Sequence, residues 1–304
     1  MSPTARTTVV IATRNRAAEL AHTLEQLAVL RPPDSDRRRR QRERRRHGGR
    51  GASCPRQDVV PRLLRIVRLR RNEGAAARTV GARYADTEFV AFCDDDSWWT
   101  GGSISRAEKL FDEYPSVALL AASVIVLPSG RLDPVCAEMA DSPLGHEPHL
   151  PGPSVLGFLA CSVIVRRREY LAAGGFSRLL HFAGEETLLA WDLAASGWDL
   201  CFVGELQTCH RPSSSRTSST ARIRRELRNA TLTVWLRRPA QRCREVAQEV
   251  ARQVLRDPTL LPVVPELAKR VPAVLRQRHT VPEWLEARIR LLENSVVGKG
   301  DGHS

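Results

Sequence analysis

The chain has 304 residues, 42% of them hydrophobic, enough for one large or two small domains with a sizeable core. Its formal charge of +13 comes almost wholly from arginine and is local, nine arginines against one acid (Glu43) lying between Arg37 and Arg50, which argues against nucleic-acid binding as the role of the whole chain. No apolar run approaches the about 20 residues of a spanning helix, and the N-terminal residues lead us to expect no secretory leader.

The first element is a β-branched run, Thr7 to Ala12, ending in the polar turn Thr13-Arg14-Asn15-Arg16. Leucines at helical spacing over Ala17 to Leu30 predict a helix. Strand, polar turn and helix open an α/β unit, with a ligand expected at the strand's carboxyl end. Residues 31–56 then hold the arginine block, prolines and glycines and almost no apolar residues, so they cannot supply a core face. Leu63 to Leu69 reads as a strand, Gly74 to Ala85 as a helix, and Glu88 to Cys93 as a buried strand running into Asp94-Asp95-Asp96-Ser97-Trp98-Trp99.

Ser105 to Tyr114 is predicted helical, Val117 to Leu127 a strand, Val135 to Pro153 a long irregular loop, and Leu156 to Val165 a second buried strand. A basic helix over Arg166 to Ala173 stops at Gly174-Gly175, Glu185 to Ser196 is a helix stopped by Gly197, and Leu200 to Val203 is a short last strand before Cys209-His210-Arg211-Pro212. Beyond Thr220, arginine-rich amphipathic helices are divided by prolines. The alternation gives a layered α/β domain over residues 1–215 and a helical basic region over 216–304. Seven scattered cysteines without a C-x-x-C pair favour a reducing, cytoplasmic setting over a disulfide or zinc framework.

The acidic triplet carries the strongest chemical signal. Adjacent carboxylates at a partly buried strand end repel one another, and a divalent cation such as Mg²⁺ or Mn²⁺, which takes oxygen ligands, relieves that cost. A solvated turn is the plainer alternative. The paired acids Glu185-Glu186 open a helix, where the dipole favours them in any case. Trp98 and Trp99 serve either packing or stacking on a ligand, and His146 and His149 sit in the loop.

Taken together, T-V-V-I-A-T-R-N-R (Thr8 to Arg16), R-N-E-G-A-A-A-R-T-V-G-A-R (Arg71 to Arg83) and V-A-F-C-D-D-D-S-W-W (Val90 to Trp99) resemble family 2 glycosyltransferases. Leu156 to Phe176, G-E-E at Gly184 to Glu186 and C-H-R-P at Cys209 to Pro212 follow in the family's order. The resemblance implies an α/β GT-A fold with a Rossmann-like, mainly parallel central sheet, and a metal-dependent, inverting transfer of sugar from a nucleotide-sugar donor to a hydroxyl acceptor. Thr13, Asn15, Arg16, Arg78, Asp94 and Asp95 would bind the donor. Asp96 would be the principal metal ligand, with Asp94 and His210. Glu186 would be the general base, oriented by Glu185. The cofactor would be Mg²⁺ or Mn²⁺; the acceptor, a glycan, a lipid-linked sugar or a small molecule, is not narrowed. The arginine-rich tail would either face solvent or make a peripheral contact at the inner face of an anionic membrane.

The family's second strand, which ends in a base-binding acid, has no counterpart between Leu30 and Leu63. Three explanations stand: a genuine insert, a strand built near Gln57 to Val60, or an out-of-frame stretch of a GC-rich gene, the last favoured by the loss of apolar periodicity there alone. Two other functional readings stand beside the enzyme: an arginine-rich nucleic-acid binder acting through phosphates, and an inactive glycosyltransferase-like scaffold.

Overall fold

The computed structural model describes residues 5–29, 64–212 and 219–300. The first strand, β1 (Thr7–Ile11), is followed by helix α1 (Ala17–Val29), then α2 (Ala76–Tyr84), β2 (Phe89–Cys93), β3 (Ser97–Trp99), α3 (Ser103–Glu113), β4 (Val117–Val126) and the short β5 (Arg131–Leu132). After α4 (Pro134–Ala140) come β6 (Val163–Arg166), α5 (Arg167–Ala172), α6 (Glu185–Ala195) and β7 (Asp199–His210). The C-terminal helices are α7 (Ser219–Arg237), α8 (Ala240–Arg256), α9 (Val263–Ala268), α10 (Val271–Gln277) and α11 (Glu283–Gly300).

The strands form one mixed sheet in the order β1-β2-β6-β4-β7-β3, with β5 on β4. β1 pairs parallel to β2, and β4 parallel to β7, while β6 runs against both its neighbours. Side chains alternate across each strand, so β2 sends Val90 and Phe92 to one face and Phe89, Ala91 and Cys93 to the other, all fully buried. The first face is covered by α2, α5, α6 and α11 through residues such as Ala82, Tyr170, Leu189 and Leu285; the second is covered by α3 through Leu110 and Phe111. Each buried Leu or Phe in these layers contributes about 1.5–3 kcal/mol relative to exposure. Strand ends from β1 and β2 therefore lie side by side, with Ile11 in register with Cys93.

The tail has a core of its own that continues into the sheet domain. Leu180 and Leu188 pack with Leu232, Leu236, Val250 and Leu267, so α6 is buried on one side by the sheet and on the other by the tail. Its arginines do not simply face water: Arg228, Arg237 and Arg238 are buried. Arg237 pairs with Asp192 of α6, and Arg238 pairs with Glu286 at 2.5 Å and Glu293 at 2.8 Å.

Four local expectations change. Residues 64–69 form no strand; Leu64, Ile66 and Leu69 stay exposed, because apolar alternation makes a strand only where a ladder partner exists. The loop after Val135 contains α4, nucleated by Pro134 in its first turn and capped by the Asp133 side chain, which accepts from the Val135 N–H. Leu156 and Phe158 are buried without joining the sheet, whose strand here begins only at Val163. β7 is far longer than Leu200 to Val203: its ladder with β4 jumps from Val203 to Gln207 through a bulge and then continues to His210. The place of the second strand falls outside the described residues, as do the arginine block and Leu63. Among the described residues no helix is long and apolar enough to cross a membrane.

Candidate active site

The parallel pairing of β1 and β2 brings the Thr13–Arg16 turn against the acidic triplet. The Thr13 hydroxyl donates to Asp95 Oδ2 at 2.8 Å. The Arg16 guanidinium spans two acids, with Nη1 2.8 Å from Asp95 Oδ1 and Nη2 2.7 Å from Asp96 Oδ2. Asn15 is exposed and contributes a left-handed backbone (φ 58°) to this turn rather than a bond to the acids. From α1, the buried Thr23 hydroxyl donates to the Asp95 carbonyl at 2.8 Å.

The other end of the sheet supplies the histidine. β3 pairs antiparallel to β7 with Ser97 opposite His210, which puts His210 Nε2 3.4 Å from Asp96 Oδ1. The Arg211 N–H donates to the Asp96 carbonyl at 2.8 Å, and the Asp94 N–H to Ser97 Oγ at 2.8 Å, so the acidic turn is tied on both sides. Trp99 is fully buried and Trp98 nearly so, with His22 edge-on to its ring; both tryptophans pack.

Electrostatics separate the acids. Burial raises Asp95 despite Thr13 and Arg16. Burial would also raise Asp96, but hydrogen bonds from His210 and Arg16 outweigh it and hold Asp96 below its ordinary value. His210 is raised chiefly by its bond to Asp96. Arg78, 4% exposed on α2, pairs with Asp94. Burial opposes its charge, but the fields of Asp94 and Glu185 prevail and raise it.

Glu185 and Glu186 start α6 beside this arginine. Glu185 is 1% exposed, and burial together with the charge of Glu186 raises it to about 8. Glu186 is half-buried and raised too, first by burial. Both carboxyls are therefore biased toward their protonated forms, Glu185 being the less exposed of the two. Two buried polar atoms lack a partner here, Arg78 Nε and Glu185 Oε2, and unsatisfied buried groups cluster at functional sites.

Thus Thr13, Arg16, Arg78, Asp94, Asp95, Asp96 and His210 are joined by direct contacts, and Glu185 and Glu186 join them through the field of Arg78. Among the described residues no trio of His, Cys, Asp or Glu is gathered as a preformed metal cluster, and arginines pair with all three acids of the triplet. The donors themselves, carboxylate oxygens and an imidazole, are of the hard and borderline kind that Mg²⁺ or Mn²⁺ accepts. A cavity of about 710 Å³ lined by Leu69, Arg71, Glu73, Val80 and Tyr84 shares no residue with this cluster. Sequence reading missed Thr23 and the contact of Ser97; polar residues inside helices and strands give no signal of their own until tertiary structure buries them.

Known proteins resemble this chain in sequence and in fold. Residues 57–169 match the family model described as glycosyl transferase family 2, which begins just after the arginine-rich segment. Pre-mycofactocin glycosyltransferases from two strains of Mycobacterium tuberculosis are 31% identical over 129 residues, 40% of this chain and 27% of theirs. The chain thus spans about a quarter of the length of the curated relatives it matches. In fold, it is similar to S. aureus TarS residues 1–349 in complex with UDP-GlcNAc, with a TM-score of 0.53, 16% identity, and coverage of 93% of this chain and 84% of that one. Longer TarS gives a TM-score of 0.50 over 76% of this chain and 40% of that chain, at 16% identity. The architecture is the α/β GT-A type.

Proposed function

We propose that this chain, which carries a family 2 glycosyltransferase domain, moves a sugar from a nucleoside-diphosphate donor to a hydroxyl acceptor with inversion at the anomeric carbon. The observation that carries the reading is the junction of three elements: the first strand's turn and the Asp94–Asp96 triplet through Arg16 and Thr13, and the triplet and the Glu185–Glu186 pair through Arg78.

The residues divide the work by charge. Thr13, Arg16 and Arg78 line the anionic nucleotide end, where guanidinium groups suit phosphate oxygens. Asp96, Asp94 and His210 would hold a divalent cation, with Arg16 turning from the acids to the donor. Such a cation neutralises charge developing on the leaving diphosphate. Glu186 accepts the acceptor's hydroxyl proton as that oxygen bonds to the anomeric carbon. The bond from that carbon to the diphosphate oxygen breaks, and its electron pair leaves with the diphosphate. Glu185 stays neutral, keeping a single negative charge on the pair and so leaving Glu186 basic. A cytoplasmic location, with peripheral contact at the inner face of a membrane through exposed tail arginines, is part of the same proposal.

The test is a screen of nucleoside-diphosphate sugars with Mn²⁺ or Mg²⁺, followed by nucleotide release. UDP-GlcNAc comes first because the TarS likeness includes that complex. Metal-dependent release, lost in Glu186→Gln when an acceptor is supplied, is the expected result; no release from any donor overturns the proposal.

A further inference from the structure

The turn that delivers Glu185 and Glu186 is built from backbone that L-residues seldom adopt. His181 has φ 67°, Ala183 φ 72° and Gly184 φ 81°. Such a run persists only where its surroundings hold it, and two groups do. On one side, the Ala75 N–H donates to the His181 carbonyl at 2.6 Å. Gly74 approaches so closely that a Cβ there would fall 2.0 Å from the same oxygen. These residues lead directly into α2, which carries Arg78.

On the other side stands Asn229, fully buried on α7. The two N–H groups of its Nδ2 are shared among three carbonyls of the turn: Leu180 at 2.9 Å, Phe182 at 2.8 Å and Ala183 at 2.5 Å. Arg228 Nε donates to Asn229 Oδ1 at 3.0 Å, which fixes the amide with its nitrogen toward the turn. Arg228 also bonds Glu266 at 2.7 Å, so the clamp is anchored in the tail. Leu180 buries its side chain in the tail core beside Leu188 and Leu232. One amide thus ties together three carbonyls of a single turn immediately before the acidic pair.

We propose that Asn229 is a positioning residue for the proposed transfer reaction. It holds residues 180–184 in their left-handed course so that Glu185 and Glu186 project toward Arg78 and Asp94, and the C-terminal helical region is thereby part of the active site. This rests on the glycosyl-transfer reading for its catalytic consequence, though not for its structural one.

The test uses the full chain with Asn229→Ala, the isosteric Asn229→Asp, which swaps the donor for an acceptor, and Leu232→Ala, which loosens the tail core beside Leu180 while leaving the Asn229 amide in place. Turnover in both Asn229 variants should fall about a hundredfold, the scale of a misplaced catalytic group. Donor KM should stay within about threefold of wild type. Amide hydrogen exchange should accelerate over 180–186 in both, and not in Leu232→Ala. Unchanged turnover and exchange in the Asn229 variants overturns the proposal, as does an equal turnover loss in Leu232→Ala. If Asn229→Ala does not fold, Asn229→Asp decides; failure of both to melt cooperatively also overturns it, since Asn229 would then hold the fold and not the turn. If the wild-type chain consumes no nucleotide sugar, the functional reading fails alone, and the exchange pattern still judges the clamp.

Discussion

Arg16 Nη2 lies 2.7 Å from Asp96 Oδ2, and the same guanidinium reaches back to Asp95 at 2.8 Å. One cation thus balances two acids that are 5% and 8% exposed. Replacing it with Ala leaves Asp95 only the Thr13 hydroxyl and Asp96 only His210 as side-chain partners, so Arg16→Ala should melt a few degrees lower in metal-free buffer at neutral pH. Added Mn²⁺ should restore more stability to the variant than it gives the wild type. Differential scanning calorimetry with and without Mn²⁺ checks this; equal Mn²⁺ responses would show that Arg16 and the cation do not compete.

Glu186 is the more accessible member of its pair and the base of the proposed transfer. Glu186→Gln keeps the shape and removes the base, so kcat should fall about 10²–10⁴-fold with donor KM unchanged. Steady-state kinetics at saturating acceptor decide; a fall in donor affinity without loss of kcat would move Glu186 to the binding site.

Glu185 makes stability depend on pH in a definite direction. Its carboxyl ordinarily titrates near 4.5 and is raised to about 8 in the fold. Between those values the folded chain keeps a proton that the unfolded chain has lost, so this contribution is complete below about pH 4.5 and is lost as pH rises through about 8. Glu185→Gln has no such proton to lose. The melting temperature of Glu185→Gln relative to wild type should therefore climb steadily from pH 5 to about 8.5; a constant difference would mean that Glu185 is ionised in the folded protein.

Arg238 is fully buried, between Glu286 and Glu293 and over the Trp191 ring at 5.6 Å. Removing one partner of a buried ion pair costs about 3–5 kcal/mol. Arg238→Ala should show a loss of that size in urea denaturation, and a loss under about 1 kcal/mol would make the pair incidental to tail docking.

Sequence patterns disclosed most of what local chemistry controls. The β-branched run before Thr13, the apolar run before Asp94 and the helix after Gly184 all lie within a residue or two of their structural bounds. What escaped depends on partners distant in the chain. The second half of β7 carries Gly204, Glu205 and Gln207, poor strand material that becomes a strand only because β4 and β3 flank it. Residues 64–69 have the reverse history, a strand-like pattern without a ladder. At the site, the acidic triplet was legible from its place after an apolar strand, and Arg78 only through the family resemblance. Arg16 as a bridge between Asp95 and Asp96 was not, and Asn229 sits in an arginine-rich helix where nothing marks it as buried.

The decisive measurement is a thermal melt with a nucleoside diphosphate and Mn²⁺, in the wild type and in Asp96→Asn. Binding to the native state alone stabilises it, so the wild type should melt a few degrees higher with both ligands together, and Asp96→Asn should not move. A wild type indifferent to UDP and GDP with Mn²⁺, or an Asp96→Asn variant that shifts just as far, would mean that the Asp94–Asp96 cluster does not bind a sugar donor's diphosphate.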